Sequence, residues 1–173
     1  MRTSKKLTIL QAAIPLVEAD GVEAITYEAL AAATGLSKSG LIYHFPSRHA
    51  LLLALHSYLA AEWASQLADA AGASPTELSE AERLRAYITT LADKATRADV
   101  LIAIDAHSHP DYLRQWQQVS TAWSPTPESN LYPLRLMADG LWLHDQINEN
   151  PLTQKQRQHL QKQLLIMLDQ QTC

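Results

Sequence analysis

The chain has 173 residues, with 14 Lys and Arg against 18 Asp and Glu, for a formal charge of −4. Its 47% hydrophobic content supports a packed core and excludes a disordered chain. The lone cysteine, Cys173, excludes a disulfide framework and fits a reducing compartment, and no apolar run approaches the ~20 residues of a membrane helix, so a cytoplasmic location without a membrane partner is expected.

Arg2, Lys5 and Lys6 precede an apolar run from Leu7 to Val17 that loosely resembles a signal peptide. Thr8 and Gln11 interrupt that run, and Leu7, Leu10, Ile14 and Val17 recur at helical spacing, so an amphipathic helix over 4–20 is predicted, stopping at Gly21. Pro15 lies inside it, without a functional account. Thr26 caps a short second helix over 27–33, and Thr34, Gly35 and Leu36 break it. Ser37 caps a third helix over 38–44. A long fourth helix follows Pro46 and Ser47 and ends near Ala71, with Leu51, Leu55, Leu59, Trp63 and Leu67 on one face. Helix five is predicted over 80–97, helix six over 99–107, and helix seven from the His109-Pro110-Asp111 break to Trp123. The Ser124-Pro125-Thr126-Pro127 segment is the clearest linker. Helix eight is predicted over 130–148 and helix nine over 153–169. No period-2 alternation, hairpin signal or internal repeat occurs, so the fold class is all-α with about nine helices.

The charge is uneven. Residues 1–60 hold five Lys and Arg against four acids, net +1, and residues 61–173 hold nine against fourteen, net −5. One basic edge on an acidic protein is expected. Two short helices joined by a glycine turn, the second polar and small-faced, meet the needs of a DNA reader. Ala31, Ala32 and Ala33 permit close helix approach, and Leu36 and Leu41 anchor the pair. Ser37, Lys38 and Ser39 occupy the turn where a helix N-terminus favours phosphate and short hydroxyls reach base edges, and Gly40 lets the backbone near the groove floor. Lys38, Tyr43, His44 and Arg48, with a basic arm of Arg2, Lys5 and Lys6, suit phosphate contact. The same stretch also fits two ordinary short helices in a bundle.

The segments TYEALA at 26–31 and TGLSKSGLIYHFPSR at 34–48 resemble the DNA-binding domain of TetR-type transcriptional regulators. The resemblance implies a three-helix helix-turn-helix DNA-binding domain over 1–46 and a helical ligand-binding and dimerisation domain over 47–173. It implies that Thr26 with its neighbour Tyr27, and Tyr43 and His44, lie at the DNA backbone. Lys38, Ser39 and Gly40 would face the groove, and Phe45 would lock helix three onto helix one. Ile42 stands where an aromatic or polar residue is common, and Arg48 where lysine is common. MRTSKK at 1–6, SRHALLL at 47–53, SHPD at 108–111, ADGL at 138–141 and HD at 144–145 are similar to a multidrug-efflux repressor of that family. That likeness implies a homodimer that represses an exporter gene from a palindromic double-stranded DNA operator and is released by hydrophobic, often cationic, small molecules.

Residues 61–173 hold Trp63, Trp116, Trp123 and Trp142, whose faces can stack on flat cations at ~0.5–2 kcal/mol each. The likeness to the multidrug-efflux repressor implies Trp63, Trp116 and Trp142 as the ligand contacts, with Leu101 and Ile104 as candidate apolar walls. Asp93, Asp105, Asp139 and Asp145 could offset positive charge, although a Trp at helical spacing is more often core. His107, His109 and Asp111 invite a metal reading, but His109-Pro110-Asp111 reads more simply as a helix start, so no metal is assigned. No nucleophile-elbow, Walker or dinucleotide glycine pattern occurs, so neither enzyme activity nor a cofactor is expected. The rows Leu134, Met137, Leu141 and Leu160, Leu164, Leu168 on helices eight and nine suit a four-helix interface with a twin subunit. The competing classes are a sequestering bundle without regulation and a metal-assisted hydrolase using His107 and His109.

Overall fold

A computed structural model describes residues 4–91, 93 and 95–172. Arg2 and Cys173 lie outside the described residues. Nine α-helices and no strand occur among the described residues: α1 (Lys5–Asp20), α2 (Tyr27–Thr34), α3 (Lys38–His44), α4 (Arg48–Ala71), α5 (Glu80–Thr90), α6 (Arg97–Asp105), α7 (Pro110–Trp123), α8 (Tyr132–Ile147) and α9 (Gln154–Thr172). The chain forms two compact units, residues 1–60 with 96–116 and residues 61–95 with 117–173.

The first unit is built around α1. Ile9, Leu10, Ala13 and Val17 form its buried stripe, and Pro15 sits on its exposed side. The stripe packs with Leu30 of α2, Leu41 of α3, Leu51 and Leu55 of α4, and Ala98 and Ile102 of α6. The end of α1 is closed from outside. Arg97 Nη1 donates to the Glu18 and Ala19 carbonyls at 2.9 and 2.5 Å, and the Ala98 N–H donates to the Glu18 carboxylate at 2.6 Å. A guanidinium at a helix C-terminus also complements the negative end of the helix dipole.

The second unit packs Leu67 of α4 with Leu84, Tyr87 and Ile88 of α5, Trp123, Leu134 of α8 and Leu164 and Leu168 of α9. Arg157 and Asp145 form an ion pair at 3.0 Å in which both side chains are 3% exposed. The Leu152 N–H, the His144 ring and Arg157 hold the Asp145 carboxyl down at about 2. Such a pair requires both partners, because removing either leaves a buried charge uncompensated.

One expected element is corrected. Helix five stops at Thr90 rather than near Arg97, and α6 begins at Arg97. The Thr89 and Thr90 hydroxyls bond back to the Arg85 and Ala86 carbonyls at 2.8 Å. Thr96 then opens a new helix through a capping box with Asp99.

Candidate nucleic-acid interface

The α2–turn–α3 pair is fixed at both helix starts. Thr26 Oγ1 accepts the Ala29 N–H at 3.1 Å, and Ser37 Oγ accepts the Gly40 N–H at 3.1 Å. Gly35 adopts the left-handed conformation (φ 70°) that ends α2, a geometry a side chain resists. Leu30 and Leu41 are fully buried between the elements and Phe45 is 4% exposed, so α3 is locked from below as its sequence resemblance implies. The Tyr27 hydroxyl donates to the Phe45 carbonyl at 2.5 Å and pins the end of α3 to the start of α2.

With one face buried, α3 presents Lys38, Ser39, Ile42 and Tyr43 to solvent, and Tyr43 is 84% exposed. The Tyr43 ring meets the half-buried His44 edge-on at 5.2 Å. Ser37 and Ser39 hydroxyls lie 3.1 Å apart. Gly40 has its own local reason: a Cβ there would come 3.2 Å from Ser37 Oγ, the atom that caps α3. Lys5 and Lys6 are exposed at the start of α1, and Lys6 Nζ sits 5.8 Å from the Phe45 ring centroid.

Two basic residues already have acidic partners. Lys38 Nζ meets Glu28 Oε1 at 2.5 Å, and this ion pair holds the Glu28 carboxyl below its ordinary value. Arg48 donates to the Val22 carbonyl and to Glu23 at 3.1 and 3.0 Å. Both pairs are exposed and therefore weak against water and salt, so a phosphate can replace the carboxylate.

The ligand-side residues divide between the units. Leu101 is half-buried, Ile104 is 65% exposed, and the Trp116 Nε1–H donates to His56 Nδ1 at 3.0 Å, all in the first unit. Trp63 and Trp142 are half-buried against the core of the second unit, and Trp63 meets Tyr87 edge-on at 5.8 Å. Trp123 is core at 3% exposure. Sequence reasoning missed the Tyr87–Asp139–Arg135 group. The Tyr87 hydroxyl donates to Asp139 at 2.6 Å, Arg135 pairs with Asp139, and its guanidinium lies 4.0 Å from the Tyr87 ring centroid. Burial pushes the Tyr87 hydroxyl up to about 12, so it is a donor at all ordinary pH. Arg135 and Asp139 help line a hollow of about 220 Å³ with Ser120, Ser124 and Tyr132, and no tryptophan lines it. The Arg at the fourth position before Asp139 was the available signal.

The carboxylates expected to offset a cationic ligand are largely engaged. Asp105 is bonded to His56, Asp139 to Arg135 and Asp145 to Arg157, while Asp93 is exposed. Among the histidines, His109 meets Asp111 and His49, whereas His107 is exposed.

The sequence pattern of the "Bacterial regulatory proteins, tetR family" matches residues 9–55, and that of the "Tetracyclin repressor-like, C-terminal domain" matches residues 81–169. No curated protein matches the chain. Among solved structures, the chain is similar to a transcriptional regulator from Pseudomonas aeruginosa PAO1, with a TM-score of 0.71 and 16% identity over 95% of this chain and 90% of that one. A TetR transcriptional regulator from Legionella pneumophila gives 0.64 and 21% over 98% of each. The multidrug binding protein EbrR complexed with imidazole gives 0.60 and 17% over 94% and 96%, and its proflavin complex gives 0.54 and 17% over 93% and 99%. At these identities the likeness is one of fold. A helix-turn-helix with a capped, outward-facing α3, followed by a C-terminal half matched over most of its length, places the chain in the TetR family of bacterial transcriptional regulators.

Proposed function

We propose that this regulator is a ligand-relieved repressor of a multidrug efflux gene, released from a palindromic operator by hydrophobic cations. The observation that carries the DNA half is the outward face of α3, where Lys38, Ser39 and an 84% exposed Tyr43 stand on a helix locked from beneath. In this reading Ser37, Lys38, Ser39 and Gly40 meet the major groove. Lys5, Lys6, Thr26, Tyr43, His44 and Arg48 meet the backbone, and Tyr27 positions them through Phe45. The phosphate contacts supply affinity without sequence choice, which falls to the groove-facing turn.

The ligand half rests on Trp63 and Trp142, aromatic faces against one core, and on short segments across the chain that we read as resembling the multidrug-efflux repressor CgmR. EbrR, a structural neighbour, is itself a multidrug binding protein. Because α4 is one unbroken helix from Arg48 to Ala71, a ligand that displaces its second half also acts on the turn after α3. The ligand need only prefer the form that cannot bind DNA, and that preference sets the size of the switch.

A mobility-shift titration on the DNA flanking the protein's own gene tests both halves. Lys38→Ala is expected to weaken operator binding and, if Lys38 holds phosphate, to lower the salt slope by about one unit. Trp63→Ala is expected to leave operator binding intact while blunting release by aromatic cations. An affinity unchanged by Lys38→Ala removes α3 from the groove, and equal release of the Trp63→Ala protein removes Trp63 from the ligand site. Tight cation uptake with no sequence preference on DNA would favour a sequestering role instead.

A further inference from the structure

The first unit gathers two imidazoles and a carboxylate where α4 and α7 begin. His49 lies in the first turn of α4, His109 precedes α7, and Asp111 lies in its first turn. Their potential ligand atoms all lie within 4.8 Å of one another. Asp111 Oδ2 is 3.8 Å from His49 Nε2 and 3.7 Å from His109 Nδ1, and the two imidazole rings are 4.4 Å apart. These separations are too long for direct hydrogen bonds. They are close to the spacing of ligands around an ion: a tetrahedral centre with bonds of about 2.0–2.1 Å sets its ligand atoms about 3.4 Å apart.

We propose that His49, His109 and Asp111 form a three-ligand site for a first-row divalent metal ion of the Zn²⁺ type. The donor set is right for that class, since imidazole and carboxylate together suit such ions. Tyr112 supplies the outer support. Its hydroxyl lies 2.9 Å from His49 Nδ1 and 3.5 Å from the His49 carbonyl. With the hydroxyl proton given to the carbonyl, the oxygen accepts the Nδ1–H and leaves the Nε2 lone pair free, the arrangement found behind metal-bound histidine. The Tyr112 ring also stacks on His49 at 5.2 Å, fixing its plane. Arg114 holds the other oxygen of Asp111 at 3.3 Å, so Oδ2 is left to the two imidazoles. His109 Nδ1 accepts the Asp111 N–H at 3.2 Å, a bond the ion would replace. The three side chains are between 38% and 44% exposed, so an ion can enter and water can complete its shell. Once bound, the ion fastens the start of α4, just after the turn that follows α3, to the start of α7. The site does not depend on the identity of the organic ligand.

The test uses the full chain, stripped of metal by chelation. Zn²⁺ binding is followed by calorimetry and Co²⁺ binding by visible absorption. One ion per chain is expected, with binding at least about 10-fold weaker in His49→Gln and in Asp111→Asn, and about 10-fold weaker in Tyr112→Phe. His107→Gln is expected to bind like the parent. Circular-dichroism melts identify any variant that fails to fold. A measurement that needs no variant accompanies them: Zn²⁺ is expected to protect His49 and His109, but not His107, from acylation read by mass spectrometry. Absence of stoichiometric uptake, uptake unchanged in the folded ligand variants, or unprotected His49 and His109 each overturns the site.

Discussion

Gly40 is pulled in two directions. As a helical glycine it weakens α3, and alanine there gains roughly 0.5–1 kcal/mol. The added Cβ would meet Ser37 Oγ at 3.2 Å and press on the cap of the same helix, and a lost cap costs about 1 kcal/mol. The two effects are of like size, so Gly40→Ala should change the melting temperature little. If α3 enters the groove at this residue, operator affinity should nonetheless fall sharply. Unchanged affinity would leave Gly40 with the cap as its whole role. The cap itself was legible, because Ser37 precedes a short polar helix. The pairing of Lys38 with Glu28 and of Arg48 with Glu23 was not, because nothing in local spacing says that residues 10 and 25 apart will meet. The carboxylates had the same fate. Asp105 and Asp145 read as free charges in the sequence, and each is answered by a base placed through tertiary packing, whereas the partner of Asp139 is Arg135, one turn earlier on the same helix.

At the scale of elements, most helices were visible as periodic apolar faces and caps, and the exception is instructive. Separate helices are expected on either side of residue 98, but the end of α5 at Thr90 lies in a run without glycine or proline, although Thr96 and Asp99 carried the capping-box signature of the next helix start. What binds α4, α6 and α7 together was also invisible: His56, fully buried, bonds Asp105 through Nε2 at 3.0 Å and accepts the Trp116 N–H at Nδ1. An imidazole accepting at one nitrogen and donating at the other is neutral, and burial, opposed by Asp105, lowers its proton affinity below the ordinary 6.5. The unfolded chain therefore takes up a proton near 6.5 that the native chain refuses until lower pH. Stability from this clasp is complete above 6.5 and drains as pH falls toward the depressed folded value. Urea melts at pH 7.5 and 5.5 should show that loss in the parent and a smaller one in His56→Leu. The variant itself should be less stable at pH 7.5 by about 1–3 kcal/mol, because the Trp116 N–H is left unpaired. A parent equally stable at both pH values would show that His56 is not held neutral.

The whole molecule poses the question of what covers α8 and α9. Their apolar residues divide into two faces, and the sequence rows cross the division. Leu134, Leu164 and Leu168 are buried in the second unit, whereas Met137 and Leu160, from the same rows, are 49% and 41% exposed. Leu136, Ile166 and Met167 extend the outer face at 55%, 40% and 37% exposure. A second apolar face on helices already packed to their own core is surplus to the monomer, and a twin subunit offering the same face would cover it by two-fold symmetry. In the repressor proposed above, operator binding depends on that pairing. Two heads linked in one dimer bind with an affinity about 10²–10⁴-fold beyond a single head, provided their spacing matches successive major grooves. A Met137→Glu, Met167→Glu double variant places charge on both helices of the outer face and leaves the inner core untouched. Light scattering should report a parent of twice the 19.2 kDa chain and a variant of one. The variant should keep its helical melt, lose operator binding by about 10²-fold or more, and retain the weak salt-sensitive binding to unrelated DNA that a single basic head provides. A parent that is already monomeric at operator-binding concentrations, or a variant that remains a dimer, would place the interface elsewhere and leave the outer face of α8 and α9 for another partner.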